Sequence, residues 1–313
     1  MRICSTDRPG RGVRICVRAR PTMALVTSLA ALLYHYTTAE GLLGIVGSNT
    51  LLATDAEFLN DAQEMQFGRA TVHEALLARA AALDPRPNPM LDTSEASRAM
   101  VIRSAADHLV SPVGGATEPK WYAVYVACFC EDGDLLSQWR GYGKGGGYAL
   151  GFDAEVLSSA TLGDGLPSHY GPSLIKVRYG VDQVDRVATE VLAVVGQTAT
   201  GHPGVHGFFE AGQHVLPALA SVKDPAFREE QEWRIVVSSE RTGVRFRQTP
   251  VSIAPYVVLQ LPTDALRAVI VGPGPHADLR RDAVERLVTG RRFEFLVELP
   301  EVEVSESSAP FRG

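Results

Sequence analysis

Two glutamates, Glu230 and Glu232, are the residues whose type and spacing most clearly suggest chemistry in this chain. They run into an apolar, β-branched segment that predicts a strand over 234–237. With a strand period of two, Glu230, Glu232 and Arg234 would share one face. Carboxylates held close together repel each other, so such a pair favours a bound cation or a reaction with developing positive charge. The structural alternative is a solvated edge on which Arg234 neutralises both acids.

The composition is that of a soluble globular protein without a general affinity for nucleic acid. The chain has 313 residues, of which 45% are hydrophobic and 21% charged, and its net charge is -6. This length is compatible with one domain carrying long insertions, which would bury roughly three quarters of its unfolded surface. Because no global basic field exists to hold a phosphate backbone, any contact with nucleic acid would have to be local.

The four cysteines predict neither a metal site nor a disulfide framework. They are Cys4, Cys16, Cys128 and Cys130, and no CxxC pair for zinc occurs among them. This usage suits a reducing cytoplasm, where we expect the protein to reside.

The first 22 residues are rich in arginine and imitate the charged start of a signal peptide, but no convincing small-residue cleavage site follows. We expect 1–22 to be a disordered extension, with Met23 as the natural initiator. We expect 23–300 to form a single α+β domain and 301–313 to be a polar tail. No segment approaches the length needed to cross a bilayer, so no membrane partner is expected.

The hydrophobic pattern predicts strands and helices without a regular βα alternation, which favours an α+β fold around a largely antiparallel sheet. Strands are predicted at 31–38, 51–54, 121–130, 148–152, 175–179, 234–237, 244–247, 256–261, 266–273 and 292–295. Helices are predicted at 39–46, 62–82, 92–110, 135–142, around 191–195, at 208–221 and at 278–289. Thr38 is placed to cap the first helix. Helical insertions are therefore expected near 62–110 and 182–221.

A glycine-rich loop spans 143–147, between a short helical turn and a strand. It carries neither the GxxxxGK[ST] nor the GxGxxG pattern that would open a nucleotide-binding helix, so we interpret it as a hairpin connection.

Four short motifs stand in a fixed order along the chain. They are YHYT at 34–37, FLND at 58–61 with Glu64, LSQWR at 136–140 with Tyr142, and EQEWR at 230–234. This set resembles a large bacterial family catalogued only as a domain of unknown function, over about 35–275. That resemblance implies no activity.

The same order is similar, more loosely, to the ADP-ribosyltransferase superfamily. His35 with Thr37 matches the first element of its pattern, Cys128 and Cys130 with Tyr142 the second, and the glutamates at 230–232 the third. The resemblance implies a split antiparallel sheet of ADP-ribosyltransferase type with helical insertions. The two cysteines stand where a Ser-x-Ser pattern would be expected, so they depart from the family at that point.

The resemblance also implies an activity, in which the protein consumes NAD as a substrate. Breaking the glycosidic bond of NAD passes through an oxocarbenium-like state, which a fixed carboxylate stabilises electrostatically. Glu232 would face that cation and bond the ribose, Glu230 would orient or deprotonate the acceptor, and His35 would hold the adenosine ribose. The acceptor would be a protein or nucleic acid, and a toxin or phage-defence effector is the setting we expect.

The remaining residues implied for binding NAD surround these three. Tyr36 or Tyr142 would stack on the nicotinamide, and the Arg140 guanidinium would make a bidentate contact with the pyrophosphate. Thr37 would position the nearby backbone. Further contacts would come from Gln138, Asn60 and Asp61, although the last two are first of all a helix cap and a turn.

Two other functions fit the same residues. A metal-dependent nuclease could use clustered carboxylates to bind Mg²⁺, namely Asp61, Glu64, Glu230 and Glu232. No lysine is expected beside them, which weighs against that alternative.

A non-catalytic ligand-sensing or interaction module would instead use the Glu/Arg network structurally. Under that interpretation His35 is a hydrogen-bonded core histidine, Trp139 and Trp233 belong to the core, and Arg140 pairs with Asp61 or Glu64.

Overall fold

A computed structural model describes the greater part of the chain beyond residue 30. The described residues are 31–59, 62–86, 94–110, 122–143, 145–163, 171–180, 183, 186–187, 189–190, 220–240, 243–249, 252–294 and 299–310. The predicted extension at 1–22 lies outside these ranges, and so does most of the predicted helix at 208–221.

The elements follow one another as short strands with interposed helices. The strands are β1 Leu32–Thr37, β2 Thr50–Asp55, β3 Tyr122–Cys130, β4 Tyr148–Asp153, β5 Thr161–Leu162, β6 Ser173–Lys176, β7 Arg178–Tyr179, β8 Val222–Lys223, β9 Glu232–Glu240, β10 Arg245–Gln248, β11 Ile253–Gln260, β12 Leu266–Val271 and β13 Glu303–Glu306. The helices are α1 Ala39–Ser48, α2 Ala62–Leu83, α3 Ser94–Val110, α4 Leu136–Tyr142, α5 Ala154–Leu157 and α6 Ala277–Glu294. Short 3₁₀ turns occupy Ala56–Phe58 and Pro225–Glu230.

One large sheet runs in the order β10-β11-β2-β3-β1-β4-β12-β13, with β9 on the other edge of β3 and β6 beyond it. Its pairings are antiparallel except for β12 with β13. The fold is therefore α+β around a largely antiparallel sheet, as the sequence predicts.

The sheet divides along β3. One edge of this strand is paired with β9 over its whole length, from Tyr122 opposite Glu240 to Cys130 opposite Glu232. The other edge is shared, because β2 pairs with Tyr125 and Val126 while β1 pairs only at Cys130. We call the gap that separates β1 from β2 beside Cys128 the fork.

The two faces of the sheet are covered differently. On one face, Phe129 and Trp233 join an apolar cluster with residues of α1 and α6. On the other, Val126 and Val236 pack under α2 and α3. A third, smaller cluster of Tyr36, Cys130, Trp139 and Ala149 lies beneath α4. Because directly paired residues of antiparallel strands project to the same side, Cys128, Cys130, Glu232 and Arg234 share one face, here called the glutamate face.

Most predicted boundaries hold to within a few residues, with two differences at the C-terminal end. The predicted strand at 292–295 is wrong, since α6 continues through Glu294. The polar tail contributes β13, whose residues pair in parallel with β12. In both places local propensity is weak, and packing against the existing sheet decides the conformation.

Among the described residues no helix is long and apolar enough to cross a membrane.

Candidate functional site

Glu232 stands at the start of β9 in a buried network of charged side chains. Its side chain receives a two-pronged contact from Arg234, with Nε 2.6 Å from Oε1 and Nη2 2.9 Å from Oε2. Lys223 Nζ lies 3.0 Å from Glu232 Oε2 and 2.6 Å from Glu230 Oε2. Only 3% of Glu232, of Arg234 and of Lys223 is exposed. Two carboxylates and two cations therefore form a charge-balanced cluster between the apolar clusters of the glutamate face.

The two glutamates meet through a turn rather than through the strand period. Glu230 ends the 3₁₀ turn Pro225–Glu230, which Asp224 caps by accepting from the Ala226 amide at 2.8 Å. Gln231 then adopts a left-handed conformation with φ of 42°. Glu230 and Glu232 therefore do not share a strand face as predicted, but both contact Lys223. The structural alternative placed the two glutamates on a solvated edge, whereas the network around Glu232 is buried.

The network keeps Glu232 ionised. Burial alone would raise its pKa, but the Arg234 guanidinium and its hydrogen bonds, and then the charge of Lys223, lower that pKa to about 2. The Glu232 backbone amide is also satisfied, since it donates to the Tyr179 hydroxyl at 2.7 Å. A carboxylate that remains charged in a dry environment is expensive unless it is paired in this way.

Two cysteine thiols lie beside Glu232 on the glutamate face. Burial and then the Glu232 charge raise the pKa of both Cys128 and Cys130. Thiols with raised pKa values carry little thiolate at neutral pH and are poor nucleophiles. We therefore assign Cys128 a supporting role, in which its thiol donates to the Glu232 carboxylate.

An aromatic pair borders the same face from the side of α4. The Tyr36 and Trp139 rings meet edge to face, with centroids 4.8 Å apart. The Tyr36 hydroxyl donates to the Asp132 carbonyl and accepts from the Leu135 amide, both at 2.9 Å. Trp139 Nε1 donates to Asp134 Oδ1 at 2.8 Å. Tyr36 is therefore fixed at both ends, and its pKa is raised because burial disfavours the phenolate.

His35 lies at the fork. Its Nδ1 is 2.9 Å from the Cys128 carbonyl oxygen, so Nδ1 carries the proton of this hydrogen bond. Burial lowers the pKa of His35, and the charge of Arg247 lowers it further. A neutral imidazole that donates through Nδ1 has its acceptor at Nε2.

The register places His35 and Glu232 on different sides of the sheet. Tyr34, Cys130 and Glu232 are paired in one row across β1, β3 and β9, and so project to the glutamate face. His35 alternates with Tyr34 and packs against Phe129, with ring centroids 5.7 Å apart. Any ligand contacting both His35 and Glu232 would have to pass through the fork.

Other predicted site residues are distributed around α4 and α1. Gln138 is buried at 6% exposure and makes no side-chain hydrogen bond within the described part of the chain. Arg140 and Tyr142 are exposed on α4. Thr37 faces α1 so closely that a Cβ added to Gly41 would come within 1.9 Å of its Oγ1. Asn60 and Asp61 lie outside the described residues, and so does the side chain of Glu64.

The residue that sequence reasoning missed is Lys223. It is buried because β8 pairs in parallel with β7, setting Lys223 opposite Tyr179. Its partners Glu230 and Glu232 are close in sequence, but the contacts depend on the turn at Gln231 and on the pairing of β8 with the distant β7, which no local pattern marks. Its presence corrects the expectation that no lysine stands beside the carboxylates. Lys223 Nζ also occupies the place between Glu230 and Glu232 that a divalent cation would need.

Within the described ranges, no group of three or more His, Cys, Asp or Glu side chains could hold a metal ion. The carboxylates Asp61 and Glu64, named for the nuclease alternative, are outside what the structure describes.

Comparison with known families agrees with part of the sequence analysis. Residues 138–235 match the model of a family described as Protein of unknown function (DUF2971). This span begins in the LSQWR motif on α4 and ends just after the EQEWR motif at the start of β9, and it supports a domain-of-unknown-function family. No curated protein and no solved structure matches the chain.

Proposed function

We propose that the protein consumes NAD, either as an ADP-ribosyltransferase or as an NAD glycohydrolase, with its reactive centre on the glutamate face. The observation that carries the proposal is the Glu232 carboxylate, which is held ionised in one row with Cys130 and Tyr34. A fixed negative charge beside an aromatic wall suits a reaction whose transition state develops positive charge on a ribose.

In the proposed reaction the bond between the ribose C1′ and the nicotinamide nitrogen breaks, and its electron pair leaves with the nicotinamide. The ribosyl cation that develops lies against Glu232. A nucleophile, either water or a group of the acceptor, then attacks C1′ and gives up its proton to Glu230. Glu230 is the more accessible acid, with 19% of its side chain exposed against 4% for Glu232.

Lys223 competes with the ribosyl cation for Glu232 in this scheme. Because its ammonium also contacts Glu230, it can release Glu232 without losing every carboxylate partner. Arg234 holds Glu232 through two hydrogen bonds and keeps its orientation meanwhile. We therefore expect Lys223 to shift away from Glu232 when NAD binds.

His35 fits the ribose at the fork through its tautomer. Since Nδ1 donates to the Cys128 carbonyl, Nε2 accepts, and a ribose hydroxyl is a suitable donor. Gln138, at the start of the matched family span, is the second polar side chain that we assign to a ligand contact. Arg140 is too exposed to be assigned a role on geometry alone.

The test is release of nicotinamide from NAD by purified protein and by Glu232→Gln. We expect the wild type to release nicotinamide and the variant to lose at least a hundredfold in rate, the usual effect of removing a transition-state contact. Glu131→Gln is the matched control, because Glu131 is also paired with a lysine but follows Cys130 and contacts Trp233, a residue of the opposite face. If the wild type releases no nicotinamide and NAD does not raise its Tm, the proposal fails.

A non-catalytic ligand-binding module is the second candidate, favoured by the charge balance of the cluster. Two acids and two bases whose charges balance are what a structural network requires. Under this alternative, the wild type releases no nicotinamide and Glu232→Gln only lowers Tm. Circular dichroism alongside the nicotinamide assay separates the two candidates.

A further inference from the structure

Tyr179 belongs to none of the four motifs, yet it joins the parts of the chain that carry the two glutamates and their lysine. Its hydroxyl accepts a hydrogen bond from the Glu232 amide at 2.7 Å. The parallel pairing of β7 with β8 sets Tyr179 opposite Lys223. Its carbonyl oxygen accepts from Arg228 Nη2 at 3.4 Å, in the turn that ends at Glu230. One residue therefore connects β9, β8 and the turn between them.

The Tyr179 hydroxyl takes the place of a backbone acceptor at the first residue of β9. The Val177 amide donates to the Glu232 carbonyl oxygen at 2.9 Å, and in a regular antiparallel ladder the Glu232 amide would return a bond to the Val177 carbonyl. The chain instead leaves β9 after Val177, since the Arg178 amide donates to the Ser221 carbonyl oxygen of the β8 side at 2.7 Å. The main chain of Glu232 is therefore held by one phenol, which a substitution can remove without changing the backbone.

The residue before Glu232 increases the importance of this hydrogen bond. Gln231 has a φ of 42°, a left-handed conformation that is unfavourable for a residue with a Cβ and persists only where its surroundings hold it. The Gln231 amide donates to the Arg228 carbonyl oxygen at 3.3 Å, and the next amide donates to the Tyr179 hydroxyl at the shorter distance of 2.7 Å. The hydroxyl therefore fixes the chain directly after the strained residue.

The Tyr179 hydroxyl keeps its proton at neutral pH. Burial raises its pKa most strongly, and the charges of Glu232 and Glu230 also raise it. A neutral phenol accepts from the amide without adding a charge to the cluster. Replacing Tyr179 by phenylalanine would therefore remove one hydrogen bond and leave the charge balance unchanged.

We propose that Tyr179 is the positioning residue of the candidate site, whose hydroxyl keeps the Glu232 carboxylate aligned with the ligand while Lys223 moves away. Arg234 contacts both oxygens of that carboxylate, but it lies on the same strand and would move with it. Tyr179 lies on a different strand and ties the start of β9 to it. The identity of the ligand rests on the proposed use of NAD, whereas the positioning of Glu232 does not require turnover.

A double-mutant cycle between Tyr179→Phe and Glu232→Gln tests the inference without any reaction. Urea unfolding is measured for the wild type, the two single variants and the double variant. If the hydroxyl positions the carboxylate, Glu232→Gln should shift the urea midpoint in the Tyr179→Phe background by about half of its shift in the wild type, or less. Tyr36→Phe is the matched control, because the Tyr36 hydroxyl also accepts from a backbone amide, that of Leu135. No described contact joins Tyr36 to Glu232, so this second cycle should be additive.

A kinetic measurement separates positioning from simple stabilisation. We expect Tyr179→Phe to release nicotinamide about tenfold more slowly per folded molecule with little change in KM, since the lost contact acts in the transition state. Gln231→Gly removes the left-handed strain and should restore the Tm of Tyr179→Phe. If Tyr179 positions Glu232, the added glycine restores Tm but not the rate. If the rate returns together with Tm, Tyr179 only stabilises the fold and the inference is wrong.

The outcomes separate this inference from the proposed function. Additive effects of Tyr179→Phe and Glu232→Gln would overturn the positioning role. A rate of nicotinamide release that Tyr179→Phe leaves unchanged would also overturn it, while the enzyme proposal would stand. Coupling in the cycle, with no nicotinamide release by the wild type, would support the positioning of Glu232 and refute NAD consumption. If Tyr179→Phe does not fold alone, the same cycle is measured in the Gln231→Gly background.

Discussion

Replacing Glu232 by glutamine should remove an acid-titrating group that stabilises the folded state. The folded protein holds the Glu232 pKa at about 2, against an ordinary value of 4.5. At about 1.36 kcal/mol for each pKa unit, the ionised carboxylate contributes about 3 kcal/mol to the free energy of unfolding. A depressed pKa gives stability that is complete above the unfolded value and is lost as the pH falls towards the folded value. The Glu232 contribution should therefore disappear between about pH 4.5 and about pH 2.

The contacts of Glu232 give a second route to the same magnitude. Glutamine keeps the size of the side chain but leaves the buried Arg234 without its carboxylate, and losing one partner of a buried pair costs about 3–5 kcal/mol. Lys223 keeps Glu230, which limits the loss. At neutral pH we expect Glu232→Gln to be less stable than wild type by about 3 kcal/mol, with the difference narrowing in acid.

Urea denaturation at a series of pH values from about 7 down to about 3 measures this difference. The other carboxylates with lowered pKa values, such as Glu131 and Asp134, are present in both proteins and cancel in the comparison. Two stability curves that stay parallel from neutral to acid pH would mean that Glu232 titrates normally in the folded protein. That result would refute the buried charge network. It would also refute the ionised Glu232 carboxylate on which the proposed reaction depends.

Three further substitutions test the surroundings of the site. Tyr36→Phe should lower the free energy of unfolding by about 1–3 kcal/mol in urea titrations, because the backbone carbonyl and amide bridged by its hydroxyl lose their partner; a loss no larger than experimental error would contradict that bridge. Gly147→Ala should cost about 1–3 kcal/mol by calorimetry, since the new Cβ would stand 2.5 Å from a backbone carbon, whereas Gly141→Ala meets nothing within 4 Å and should cost nothing; equal Tm values for the two would count against the packing. Asp134→Asn should shift the Trp139 emission and expose the C-terminal residues to carboxypeptidase, because Asp134 accepts from Trp139 and from two serines of the last segment; unchanged emission and digestion would refute this link.

Much of the fold could be predicted because its signals are local. Aromatic and β-branched residues mark β3, which the sequence predicts at 121–130 and which spans Tyr122–Cys130 in the structure. Thr38 caps α1 as predicted, accepting from the Gly41 amide at 3.3 Å. The end of α6 and the parallel pairing of β13 escaped prediction, since neither depends on the residues nearby.

The candidate site was predictable in its residue types but not in its geometry. The sequence singles out Glu232 and Arg234, and the structure joins them as a pair. The sequence gives no reason to expect Gln231 in a left-handed conformation with a φ of 42°, which glycine or asparagine would normally mark. Without that turn Glu230 would extend the strand, and its contact with Lys223 could not be foreseen.

Lys223 connects the structural and the catalytic interpretation of this cluster. Arg234 already contacts both oxygens of Glu232, so Lys223 is not the group that holds this carboxylate in place. With a second acid present, the ammonium can remain paired to Glu230 while Glu232 accepts a different cation, so the charge balance survives the exchange. The free-energy cost of releasing Glu232 from Lys223 is then that of moving one flexible side chain. Without Glu230 it would be the larger cost of leaving a buried charge unpaired. Under the proposed reaction, the shared lysine is therefore the feature that would allow a buried, ionised carboxylate to serve a ligand as well as the fold.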